Sequence, residues 1–163
     1  MRKKIMEYRE IRPEDDAALA ALIRKSLEAN RLDIPGTAYF DETLDHLSDH
    51  YLGDPAKRFY YIAEDDGEVA GGIGLDKADL FDECAELQKL YLADRVKGCG
   101  YGYRLIELIE DKARELGYRR MYLETHTNLE AAIRLYEKCG YYLIEKPEAI
   151  VHSSMNRFFL KEL

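Results

Sequence analysis

The chain has 163 residues, 47% hydrophobic and 34% charged, with a formal net charge of −8. That length suits one domain over residues 1–163 with a sizeable core. No apolar run approaches the ~18 residues of a membrane span, and the acidic balance argues against nucleic acid, whose phosphates need clustered Lys and Arg.

The basic start, MRKKIMEYREIRPEDD, is followed by no apolar h-region and does not read as a secretory signal. Cys84, Cys99 and Cys139 lack metal-type spacing and suggest free thiols in a reducing cytoplasm. Charge is unevenly placed. Residues 33–86 hold 15 acids against 3 bases, whereas residues 87–163 hold 11 acids and 13 bases. The first stretch favours cationic partners and the second tolerates an anionic one.

In chain order, Ile5 to Ile11 reads as a strand. Pro13 opens a helix whose first turn carries Glu14, Asp15 and Asp16, and Leu19, Leu22, Ile23 and Leu27 form its apolar stripe. Leu32 to Phe40 is a loop, and Asp41 is expected to cap a second helix running to His50 or Tyr51. Arg58 to Ala63 and Glu68 to Leu75 make a hairpin about Asp66-Gly67, and an acidic connector covers residues 76–83. A strand from Ala85 to Leu92 follows, then a helix from Gly102 to Leu116 ended by Gly117. Arg120 to Thr125 is a strand, and Thr127-x-x-Glu130 predicts a capping box for a helix to Lys138, stopped by Gly140. Tyr141 to Ile144 and Asn156 to Leu160 close the chain as strands, with His152 in the loop between them. This order predicts an α/β fold: a central mixed, mostly antiparallel sheet flanked by helices.

The stretch from Cys84 to Tyr103 organises the rest. Three alternating glycines, Gly98, Gly100 and Gly102, stand between a strand and a helix N-terminus, a place suited to phosphate. The GK[ST] of a nucleoside-triphosphate loop and the third glycine of a dinucleotide fingerprint are both missing. Leu87, Leu90 and Leu92 share one strand face only if an extra residue is inserted near Gln88 or Lys89; a regular buried strand is the competing reading. Such a bulge would splay the strand from its neighbour and open a slot for a linear, amide-bearing ligand.

Lys97-Gly98-Cys99-Gly100-Tyr101-Gly102 resembles the Arg/Gln-x-x-Gly-x-Gly/Ala motif of the GCN5-related N-acetyltransferase (GNAT) family. Asn128-x-x-Ala131-x-x-x-Leu135-Tyr136-x-x-x-Gly140-Tyr141 resembles its second signature, usually ending Gly-Phe. The element order agrees along essentially the whole chain. The resemblance implies the family's acyl-CoA N-acyltransferase fold, with acetyl-CoA as acyl donor, no metal, and direct transfer to a primary amine in a ternary complex. It implies that backbone groups of Leu90 and Leu92 pair with the pantetheine arm and that the amides of Lys97, Gly98, Cys99, Gly100, Tyr101 and Gly102 hold the pyrophosphate. Lys97 departs from the usual Arg or Gln, which weakens a bidentate phosphate contact but not the backbone donors. Asn128 would bond the pantetheine or serve as a helix-start residue.

A protonated amine with a pKa near ~10 must lose a proton before it attacks, and by resemblance Glu86 matches the position of the general-base glutamate in the family's histone-acetyltransferase branch. A strand-end carboxylate is the bland alternative, and Glu124 is the rival base. Tyr136 matches the acid for the leaving thiolate, against an ordinary core tyrosine. His152 would face the acceptor or simply be exposed. His46 and His50, spaced i, i+4, fit a solvated acidic helix better than a metal site, and Cys99 fits a small spacer better than a nucleophile. The expected partner is a small-molecule or peptide amine, and a homodimer stays open. A non-catalytic acyl-CoA-binding sensor is the alternative to an enzyme.

Overall fold

The computed structural model describes residues 5–150 and 153–163. Seven strands form one sheet in the order β1-β2-β3-β4-β5-β7-β6. They are β1 (Met6–Glu10), β2 (Phe59–Asp65), β3 (Glu68–Ala78), β4 (Cys84–Leu92), β5 (Arg120–Thr125), β6 (Tyr142–Ile144) and β7 (Arg157–Glu162). Every neighbouring pair is antiparallel except β4 with β5. The α-helices are α1 (Asp16–Ala29), α2 (Leu47–Leu52), α3 (Tyr101–Glu115) and α4 (Glu130–Lys138).

Strand side chains alternate between faces, so each sheet face has its own core. On one, Leu105, Ile106 and Ile109 of α3 and Tyr136 of α4 pack on Ile73, Leu75, Leu87 and Leu123. On the other, Leu19, Ile23 and Leu27 of α1 and Tyr51 of α2 pack on Tyr60 and Ile62. The Arg9 guanidinium grips both oxygens of buried Asp15, at 2.7 and 2.8 Å, and reaches Glu64 at 2.8 Å. It thereby ties β1 to β2 and to the turn that opens α1.

Local expectations fail where a distant residue takes over a cap. The second helix is not continuous: a 3-10 turn at Leu44–His46 precedes the six-residue α2. Asp41 does cap its own turn, accepting from the Thr43 N–H and hydroxyl at 3.0 and 2.8 Å. The N-terminal donors of α2 are served instead by Asp16 of α1, which accepts from the Ser48 N–H at 2.9 Å and its hydroxyl at 2.6 Å. The Thr127/Glu130 capping box does not form. Asn156 holds the Thr127 N–H at 3.0 Å and its hydroxyl oxygen at 3.2 Å, so α4 starts at Glu130 with no side-chain cap. Strand β3 runs to Ala78, three residues beyond the expected end, and α3 starts at Tyr101, one residue before it.

Candidate active site

The bulge anticipated from the leucine spacing is present. Gly72 faces Tyr91 and Gly74 faces Gln88, so three steps along β4 match two along β3. Lys89 takes up the extra residue at φ 50, and Leu87, Leu90 and Leu92 all pack on the α3 side. The Tyr60 hydroxyl donates to the Lys89 carbonyl at 2.8 Å and holds the distortion. On its other flank, β4 pairs with β5 only from Cys84–Arg120 to Glu86–Tyr122. Beyond Glu86 the two strands part around a cleft of about 1040 Å³.

One wall of the cleft is the turn into α3. Gly98 and Gly100 adopt φ 76 and 85, a left-handed backbone that favours glycine. Lys97, Gly98, Gly100, Tyr101 and Gly102 line the cleft, and the first N–H groups of α3 have no intrahelical acceptor. Gly102 is small for a packing reason as well: a Cβ there would lie 2.8 Å from Leu135 Cδ2 of α4. The Lys97 ammonium is paired with Asp94 at 2.9 Å. Cys99 is exposed, and its thiol donates to the Lys97 carbonyl at 3.6 Å. Leu90 and Leu92 line the cleft through the splayed segment of β4.

Two titratable groups enter from opposite sheet faces. Glu86 lies on the α1 and α2 face, where its Oε1 accepts from Gln88 Nε2 at 2.7 Å. Burial pushes its carboxyl above the usual range; the Glu124 charge adds to this, while the Gln88 hydrogen bond opposes it. Glu124 lines the same cleft and accepts from the Ser153 hydroxyl at 3.1 Å. Tyr136 comes from the α3 and α4 face, with ring centroids 6.0 Å from Tyr141 and 6.5 Å from Phe159. Burial raises its phenol well above 10, which keeps it a proton donor.

The remaining sequence candidates are more scattered. Asn128 is exposed, and its side-chain amide donates to the Asn30 carbonyl at the end of α1, at 3.0 Å. His152 lies outside the described residues. His46 is exposed, whereas His50 turns to Asp76 at 3.3 Å, so the two histidines part. Two cleft residues were read in the sequence only as the place of the bulge and not as site residues: Gln88, which shares a strand face with Glu86, and half-buried Lys89, whose ammonium has no ion pair among the described residues. The i, i+2 spacing of Glu86 and Gln88 was the available signal.

The sequence profile of the Acetyltransferase (GNAT) family matches residues 20–141. The chain is 35% identical over 134 residues to the uncharacterized N-acetyltransferase YjgM of Escherichia coli K12, covering 78% of this chain and 77% of that protein. A GNAT-family acetyltransferase structure from Staphylococcus aureus Mu50 superposes with TM-score 0.83 at 19% identity, over 97% of this chain and 99% of the other. The PaiA N-acetyltransferase of Thermoplasma acidophilum, solved with coenzyme A, gives 0.78 at 19% identity over 98% and 99%. With both signatures, the bulged strand and the seven-stranded sheet in place, the chain belongs to the GNAT family of acetyltransferases.

Proposed function

We propose that residues 1–163 form a single catalytic domain that transfers the acetyl group of acetyl-CoA to a primary amine of a small-molecule or peptide acceptor. Transfer is by direct attack in a ternary complex, in a reducing cytoplasm. The observation that carries this reading is the splay of β4 from β5. It exposes Glu86 from one sheet face and Tyr136 from the other to one cleft, beside a glycine turn rich in N–H donors.

The residues present fit the donor. Left-handed Gly98 and Gly100 turn the backbone at the start of α3, where amide hydrogens and the dipole favour phosphate. The length of β4 about Leu90 and Leu92, which has no β5 partner, offers backbone groups on that side to an amide-bearing arm. Acetyl-CoA supplies an activated acetyl group and a thiolate leaving group. Glu86 accepts the proton of the incoming ammonium, directly or through water, and its raised affinity for a proton suits that task. Tyr136, kept protonated by burial, donates to the departing sulfur. Acidic residues on the α1 and α2 side, Asp41 and Glu124 among them, favour a positively charged acceptor.

The test has two steps. Unfolding is followed with and without acetyl-CoA, with ATP as control; at 100 times the dissociation constant, apparent stability should rise by about 2.7 kcal/mol. CoA release is then measured across a panel of primary amines. A shift followed by turnover supports the enzyme. A shift with no release for any amine returns the chain to the sensor reading, and no shift at millimolar acetyl-CoA removes the donor assignment.

A further inference from the structure

Tyr51 of α2 and Tyr60 of β2 are fully buried, with ring centroids 5.0 Å apart. Both cross β3 where it has no side chains. A Cβ on Gly74 would lie 2.9 Å from Tyr51 Cε1 and Cζ and 2.6 Å from Tyr60 Cδ2, and one on Gly72 would run into the Tyr60 ring. The two glycines thus form a window through which both hydroxyls reach β4, one at the bulged Lys89 and one at Gln88 before it. Tyr60 donates to the Lys89 carbonyl at 2.8 Å, and Tyr51 donates to Gln88 Oε1 at 2.8 Å. A phenol proton directed at the amide oxygen turns the amide NH2 the other way, where it donates to Glu86 Oε1 at 2.7 Å. Among the described residues this is the hydrogen bond that Glu86 accepts, and its second oxygen is left for an acceptor.

We infer that Gln88, oriented by Tyr51 through the glycine window, is the positioning residue that sets the direction of the Glu86 carboxylate. The inference rests on the proposed role of Glu86 and names the device that fixes it. The groups facing Glu86 are Cys84, Gln88 and Lys89 on β4, Asp76 on β3, Glu124 and Tyr122 on β5, and Tyr51 on α2. Asp76 is held by Arg58 at 3.2 Å and His50 at 3.3 Å, and the Lys89 cation favours the Glu86 anion. Within this set, Gln88 is the neutral partner that gives the anion a directional bond.

The test is titration of the Glu86 carboxyl by NMR, using the full chain labelled with 13C-glutamate and the resonance assigned by its loss in Glu86→Gln. Gln88→Met removes the donor at nearly constant length and should move the midpoint up by about one unit. Tyr51→Phe leaves the amide free to turn and should move it the same way by less. Gln88→Glu preserves the acceptor for Tyr51 but sets a like charge beside Glu86, so its midpoint should rise further than that of Gln88→Met. Wild-type midpoints in all three variants overturn the inference, even if Glu86→Gln has abolished turnover. Upward shifts that grow from Tyr51→Phe through Gln88→Met to Gln88→Glu sustain the orienting role, and the separate turnover of Glu86→Gln decides whether the oriented carboxylate is the base.

Discussion

At the scale of single residues, Glu86 and Glu124 divide along their environments. Both line the cleft, but Glu86 accepts from Gln88 and Glu124 from Ser153, and burial together with the neighbouring Glu124 charge raises the proton affinity of Glu86. A general base works ionised, so kcat/KM should fall as pH drops through its folded pKa. That acid limb is expected above the ~4.3 of an ordinary glutamate. Glu86→Gln should lower kcat by at least about 100-fold while acetyl-CoA binding, read by thermal shift, stays near wild type. Turnover that survives in this variant with the limb intact would pass the role to Glu124. That Glu86 stands at the cleft beside the bulge was legible from the sequence and its family resemblance, whereas its link to Tyr51 was not. The Tyr51–Gln88 bond joins residues 37 apart in sequence, and no local pattern reports such a contact.

At the scale of elements, spacing predicted backbone distortion better than it predicted helix starts. The leucine triplet announced the bulge because burial leaves a strand only one acceptable face. N-capping failed as a guide for α2 and α4 because caps are exchangeable: Asp16 serves α2 and Asn156 captures Thr127, each across the fold. Asn128 is likewise engaged across the fold, its amide donating to the Asn30 carbonyl just past α1. The turn into α3 allows a controlled experiment. A Cβ at Gly100 meets nothing within 4 Å, so Gly100→Ala acts through its φ of 85 alone. The expected cost is about 1–2 kcal/mol, a fall in Tm of roughly 3–6 °C. Gly67, at φ 82 and equally open, sits in the β2–β3 hairpin away from the cleft. Gly67→Ala should lose similar stability with unchanged acetyl-CoA affinity, while Gly100→Ala should lose both. Equal affinities in the two variants would count against the turn as the phosphate cradle.

At the scale of the molecule, the Arg9 fork makes global stability depend on pH. Burial alone would raise the Asp15 carboxyl, but the Arg9 hydrogen bonds and the Arg12 N–H outweigh it and hold the group below the usual range. A depressed pKa contributes stability that is present above the ordinary ~3.9 and is lost as pH falls through the folded value. Arg9→Met leaves that carboxylate buried without its cation and should cost about 3 kcal/mol at pH 7. The deficit should shrink on acidification as Asp15 becomes protonated. A deficit independent of pH, read by denaturant unfolding at pH 7 and pH 4, would assign the loss to packing instead. The other whole-molecule consequence comes from the parting of β4 and β5. Below Glu86 the sheet is continuous, and above it the protein carries two strand borders in its own middle, where most folds keep them at the periphery. Such a border is a template for any extended chain. On the proposed function, the donor's amide-bearing arm would take the place of a missing strand, and the free protein would be a sheet open to aberrant pairing. Supply of acyl-CoA would then protect the protein against self-association as well as enable its chemistry.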